Sequence, residues 1–186
     1  MQPISKARLE QFSDGVFAIA ITLLALEIKV PHLENTDLKN SLHELLPLIP
    51  NIATFILSFL GIAIFWVNHH QLTRNISTVS RRVVWGNMLF LLFVTLIPFA
   101  TSAMAENYGN ILAVMTYSLI LLGSSSSFSI LRYFVEKHEG NTKVKILRSL
   151  VGPMVYSLAF LSAFYSLGTT YALLIIPPLF YFLPRK

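Results

Sequence analysis

Six long apolar runs, separated by short polar stretches, set the plan of this 186-residue chain. They fall at about Phe12–Lys29, Ile49–His70, Val83–Met104, Tyr108–Phe134, Ile146–Leu167 and Thr169–Leu183. Each approaches the roughly 20 residues that a helix needs to cross a bilayer. The pattern therefore predicts an all-α integral membrane protein with six transmembrane helices in a single unit, residues 1–186. The connections differ in character. Pro31–Leu48 is polar, with Leu38, Leu42, Leu45 and Leu46 spaced like a short amphipathic helix, and Arg74–Arg82 is basic and rich in Ser and Thr. Ala105–Asn107 and Gly168 read as minimal turns, and Lys137–Arg148 is again basic. Pro177-Pro178 predicts a break or kink in the sixth helix, since proline lacks a donor and clashes with the preceding turn. Gly152-Pro153 falls in the first two turns of the fifth, where proline costs less. The first run, long and carrying Asp14, does not fit the short apolar core and cleavage site of a signal peptide.

Composition sharpens this picture. Apolar residues make up 54% of the chain and charged residues 12%, against roughly a quarter charged in a soluble domain. The absence of cysteine excludes disulfides, Cys-based metal sites and thiol chemistry. A net charge of +5 raises the question of nucleic acid, but the positions of the charges answer it. Lys6, Arg8, Arg74, Arg81, Arg82, Arg132, Lys137, Lys143, Lys145, Arg148, Arg185 and Lys186 fall on one side of the predicted membrane, and only Lys29 and Lys39 on the other. Lys and Arg gather in cytoplasmic loops, so both termini are expected inside a multi-pass protein of the plasma membrane. The basic excess is a topology signal, and no nucleic-acid partner is expected.

Candidate chemistry concentrates in the first helix. Asp14 lies at its mouth, where an ionisable group marks either a structural lock or an ion pathway. Ile19, Thr22, Leu23 and Leu26 fall in one stripe about 100° wide, a spacing more common in plain helix packing than in pores. Asp14 lies roughly opposite that stripe and is expected to face its own subunit. Arg8, about 120° away, is not a same-face partner. The second helix delivers Trp66, Asn68, His69 and His70 to the same depth as candidate partners. Glu27 fits an outer cation-attracting mouth or a pairing with Lys29 about equally. The serines at 124–127, with Gly123 and Ser129, read as a close-packing surface more readily than as a hydrophilic pathway. His69-His70 points two ways from one helix and lacks the spacing of a metal pair.

The run Arg8-x-x-x-Phe12-Ser13-Asp14, continuing into an Ile/Thr/Leu-rich helix that ends near Glu27-x-Lys29-Val30-Pro31, resembles the signature of the transmembrane protein 175 family. Trp66-x-x-His69 also looks like the family pattern. The family comprises lysosomal potassium-permeable channels and their bacterial relatives, whose single six-helix units assemble as homotetramers. The resemblance implies a central pore lined by the first helix, with its narrowest hydrophobic ring at Ile19. Further pore-facing layers fall at Leu23 and Leu26, and a threonine implicated in potassium preference falls at Thr22. Arg8, Phe12, Ser13, Asp14, Trp66 and His69, which carry the signature, are expected to form a structural network at the inner end, with Arg8, Ser13, Asp14 and His69 as a hydrogen-bonded lock.

A potassium-permeable, weakly to moderately selective leak channel is therefore the expectation, with monovalent cations, lipids and further copies of the chain as partners. The chain lacks a Thr-Val-Gly-Tyr-Gly loop, so selectivity would rest on pore width and sparse polar contacts, with gating by dewetting at Ile19. A proton-permeable channel or a secondary cation transporter are the alternatives; a transporter would show interrupted helices and midplane charges, of which Pro177-Pro178 is the main sign. No converging polar constellation suggests an enzyme. No cofactor is expected, and no metal beyond permeating potassium.

Overall fold

The computed structural model describes residues 4–29, 32, 37–38, 43–46, 48–74, 76–140 and 146–182. Among these the chain forms six long helices: α1 (Lys6–Leu26), α2 (Leu48–Thr73), α3 (Arg81–Glu106), α4 (Ile111–His138), α5 (Ile146–Ser162) and α6 (Leu167–Phe182). Leu42 of the predicted amphipathic segment lies outside the described residues, as do Lys39, Lys143, Lys145, Arg185 and Lys186 of the charge pattern.

The first four helices are long and apolar enough to cross a membrane. The other two are shorter, with 17 and 16 residues, about 25 Å each at 1.5 Å per residue. The fifth was expected to reach Leu167 but ends at Ser162, where Tyr165 and Ser166 N–H both donate to the Ser162 carbonyl at 2.9 Å. Ser166 Oγ then caps the next helix by accepting from Thr169 N–H at 3.3 Å. The turn thus falls ahead of Gly168, which lies inside α6 rather than forming the turn itself. α6 also runs as one helix through Pro177-Pro178, so of the expected break or kink there is no break. That removes the main sign that pointed toward an interrupted transporter helix.

Local chemistry explains the other boundaries. α1 starts six residues before its apolar run because Ser5 caps it, Oγ accepting from Arg8 N–H at 3.4 Å; hydropathy measures the membrane, not the helix. Ser80 caps α3 in the same way. α4 begins after Gly109, whose φ of +83° turns the chain at little cost to a residue without Cβ. Asn110 Oδ1 then accepts from Leu112 N–H at 2.9 Å.

α3 is the hub, packed against α1, α2 and α4; α5 lies on α4 and α6. Among the described residues α1 touches α2 and α3 alone. The glycine and serine stretch of α4 lets its neighbours approach, as expected. A Cβ on Gly123 would lie 2.2 Å from the Phe93 ring, and one on Gly152 would lie 2.2 Å from Ser125 Oγ. Ser124 and Ser127 return their hydroxyls to carbonyls of their own helix at 2.7–3.0 Å. Deeper in the bundle Thr101 Oγ1 donates to Ser58 Oγ at 2.7 Å, and Ser58 Oγ lies 2.9 Å from the buried Tyr117 hydroxyl. These contacts pin α2, α3 and α4 together. In lipid such bonds and close packing matter more than apolar burial, because acyl chains are as apolar as leucine.

The two ends of the bundle differ in charge. At one, Lys6 Nζ donates to the Arg74 carbonyl at 2.5 Å. There too Ser77 N–H donates to Glu139 Oε1 at 3.0 Å, bringing the second connection to the end of α4. At the other end Lys29 pairs with Glu106. Tyr108 stacks on Tyr171 with ring centroids 5.5 Å apart.

Candidate functional site

α1 has two unlike faces. Leu9, Ser13, Phe17, Ala20 and Leu24, spaced by three or four residues, are buried against α2 and α3. On the other side Ile19 is 60% exposed, Leu23 42% and Leu26 74%. Thr22 is exposed as well. The stripe drawn from the sequence is therefore the unpartnered side of α1, and Leu24, off that stripe, is fully buried. Thr22 Oγ1 lies 3.0 Å from the Ala18 carbonyl and 2.9 Å from that of Ile19. Its proton is thus committed to the helix.

The buried face ends in a polar relay. His69 Nε2 lies 2.7 Å from Asn87 Oδ1. Asn87 Nδ2 donates to Ser13 Oγ at 2.9 Å, and Ser13 Oγ donates to the Leu9 carbonyl at 2.8 Å. A carbonyl oxygen only accepts, so His69 carries its proton on Nε2 in this arrangement. Ser13, His69 and Asn87 are all buried. Aromatic rings enclose the imidazole, with Phe90 stacked on it at 6.0 Å and 18° and Phe17 tilted at 5.7 Å. The relay ties the basic ends of α1, α2 and α3 together.

The signature residues divide between the faces, which corrects the expected lock. Ser13 and His69 join it, but through Asn87, a residue the sequence reading passed over. Its signal was present: a carboxamide inside an apolar run at membrane depth needs partners. Asp14 is not buried against its own subunit; it is exposed on the flank of α1. Its partner is Trp66, whose Nε1–H donates to Oδ1 at 2.9 Å. Trp66 in turn stacks on His70 at 6.0 Å, so the two histidines do face different surroundings. Arg8 is exposed and outside the relay. With Phe12, itself 53% exposed, it lines an open groove of about 590 Å³ against Val84 and Met88 of α3. At 100° per residue, Arg8 and Phe12 stand within about 20° of Ile19 around the helix. At the other end Glu27 does not take Lys29, which reaches across to Glu106.

The profile of the endosomal/lysosomal potassium channel TMEM175 matches residues 8–98, from the signature arginine through most of α3. A potassium channel of Chryseobacterium sp. (strain P1-3) is 36% identical over 143 residues, covering 76% of this chain and 71% of its own. A potassium channel of Chamaesiphon minutus is 33% identical, covering 90% of this chain and 91% of its own. The crystal structure of a lysosomal potassium-selective channel TMEM175 homolog from Chamaesiphon minutus shares the fold with a TM-score of 0.85. Its identity to this chain is 32%, and the match covers 95% of each.

Proposed function

This chain belongs to the TMEM175 family, a family of ion channels and not of enzymes, and we propose that it conducts potassium through a pore lined by α1. The observation that carries the proposal is the exposed stripe of Ile19, Thr22, Leu23 and Leu26. A helix turned toward lipid would carry apolar side chains alone, whereas this side of α1 also presents Arg8 and the free lone pairs of Thr22. Four copies around an axis give a hydrophobic ring at Ile19 that wets and dewets as a gate, with Thr22 one turn outward to favour a partly dehydrated potassium ion. Arg8 and Phe12, on the same side at the inner end, supply contact surface for the neighbouring subunit.

The basic end of the bundle is cytoplasmic under the positive-inside rule, in a cell membrane. α5 and α6 complete six crossings: α5 leaves the basic end, and Tyr171 near the start of α6 meets Tyr108 at the opposite end. The test is flux from proteoliposomes. Ile19→Asn raises basal potassium and sodium flux together and weakens discrimination between them. Leu24→Asn, on the buried side, lowers the folded yield without making a leakier pore. The reverse outcome would mean that α1 is rotated and the pore assignment fails.

A further inference from the structure

Two close contacts stand out where α4 packs along α5. Gly152 admits Ser125, as above. Pro153 has no N–H, so the Ser149 carbonyl one turn earlier lacks its helical donor; Ser129 Oγ donates to it instead at 2.5 Å. Beside these contacts lies an open groove of about 520 Å³ with largely apolar walls, including Ile130 and Phe134 of α4 and Leu150 and Pro153 of α5. The groove face of α4 continues at helical spacing from Ile130 and Tyr133 to Lys137, at the basic end of the bundle. Lys137 Nζ donates to Tyr133 Oη at 3.3 Å and sits 5.5 Å over that ring. The ammonium keeps further donors, so an anchored cation and a phenol stand at the mouth of an apolar channel. Among the described residues α1 touches neither α4 nor α5, so assembly around α1 leaves this groove at the periphery, toward lipid.

We propose that the α4–α5 groove binds an anionic glycerophospholipid of the cytoplasmic leaflet, its phosphate on Lys137 and Tyr133 and one acyl chain along Ile130 and Leu150. Charge complementarity selects this occupant over a neutral lipid, since a basic residue near the surface attracts an anionic leaflet. The leaflet rests on the orientation proposed above; the lipid class does not.

Native mass spectrometry of the purified channel in mixed micelles tests the site, with phosphatidylglycerol and phosphatidylcholine of equal chain length as probes. Wild type retains phosphatidylglycerol in preference. Lys137→Gln lowers that retention about fivefold, the worth of one basic residue, and leaves phosphatidylcholine unchanged. Leu150→Trp, which fills the groove, lowers both. Equal phosphatidylglycerol retention in wild type and Lys137→Gln would overturn the site. So would a disulfide between copies carrying Leu150→Cys, since a second copy would then cover the groove. Micelles have no leaflets, so orientation is read separately: Lys137→Cys, in a chain without other cysteines, labels from the cytoplasmic side only. Labelling from outside would overturn the leaflet and the orientation while leaving the micelle result to judge the lipid.

Discussion

The two faces of α1 obey different rules. The buried face is finished: Phe17, Ala20 and Leu24 are packed, and Ser13 hands its hydrogen bonds to Asn87 and Leu9. The exposed face is unfinished, with Ile19, Leu23 and Leu26 left largely open in the subunit. One signature, Arg8-x-x-x-Phe12-Ser13-Asp14, feeds both. Its serine belongs to the finished side, its arginine and phenylalanine to the unfinished one, and its aspartate to the seam, held by Trp66. A short motif therefore fixes the rotation of α1, holding one face inward so that the other is presented outward. Substitutions on the finished face should cost stability and spare permeation. Those on the unfinished face should do the opposite.

The strongest test of that division is Asn87→Leu. It removes the acceptor that His69 Nε2 has among the described residues and one donor to Ser13, stranding a buried imidazole proton. Leaving a buried donor unmatched costs about 1–3 kcal/mol. The purified channel should lose about 2 kcal/mol of stability in detergent, with selectivity unchanged in the fraction that still assembles. A variant as stable as wild type would show that the relay does not hold α1.

Trp66→Phe and Asp14→Ala should have smaller, matched effects. Each removes the hydrogen bond between Trp66 and Asp14, and because Asp14 is exposed within the subunit the loss should be about 1 kcal/mol. The double variant should then be no worse than either single one, the mark of a direct pair. Full additivity would mean that Asp14 has another partner. A shift in ion selectivity with stability intact would make Asp14 an ion site rather than a seam.

Much of this was legible in the sequence, and the failures have physical causes. Hydropathy placed all six helices because apolar length is what a bilayer demands. It misplaced the ends of α1, α4 and α5 because hydroxyl and carboxamide caps, at Ser5, Asn110 and Ser166, decide where a helix starts or stops. The stripe of Ile19, Thr22, Leu23 and Leu26 was readable from periodicity, although its meaning came from the family signature. Asn87 gives no signal as an ionisable group, yet its neutral carboxamide serves as donor and acceptor at once and so joins Ser13 to His69. The exposure of Asp14 was missed because helical angle alone put it opposite the stripe. It lies on a flank, where the indole of Trp66 reaches it.

On the unfinished face, Thr22→Val tests the smallest permeation effect. The hydroxyl proton stays within the helix, so only the outward lone pairs are lost, and a weak polar contact of about 0.5 kcal/mol is about a twofold change. Potassium preference over sodium in bi-ionic flux should fall about twofold, with thermal stability unchanged. An unaltered ratio would place selectivity elsewhere along α1.

The least effect is expected where α1 gives way to the connection that follows it. Lys29 pairs with Glu106, but the two side chains are 67% and 45% exposed, and water screens an ion pair that open. Lys29→Gln should leave thermal stability indistinguishable from wild type near neutral pH. The hydrogen bond to Glu106, and then its charge, hold the Lys29 pKa above the usual lysine range. A raised value means that the pair's contribution is fully present below the unfolded lysine pKa, and is lost only as pH climbs through the higher folded one. Any wild-type advantage should therefore be flat from about pH 6 to pH 9 and close only beyond about pH 10. A large loss on Lys29→Gln at pH 7, comparable to that of Asn87→Leu, would show that the Lys29 end of α1 is anchored as firmly as the Ser13 end. The division of labour between a fixed end and a lightly tethered end would then be lost.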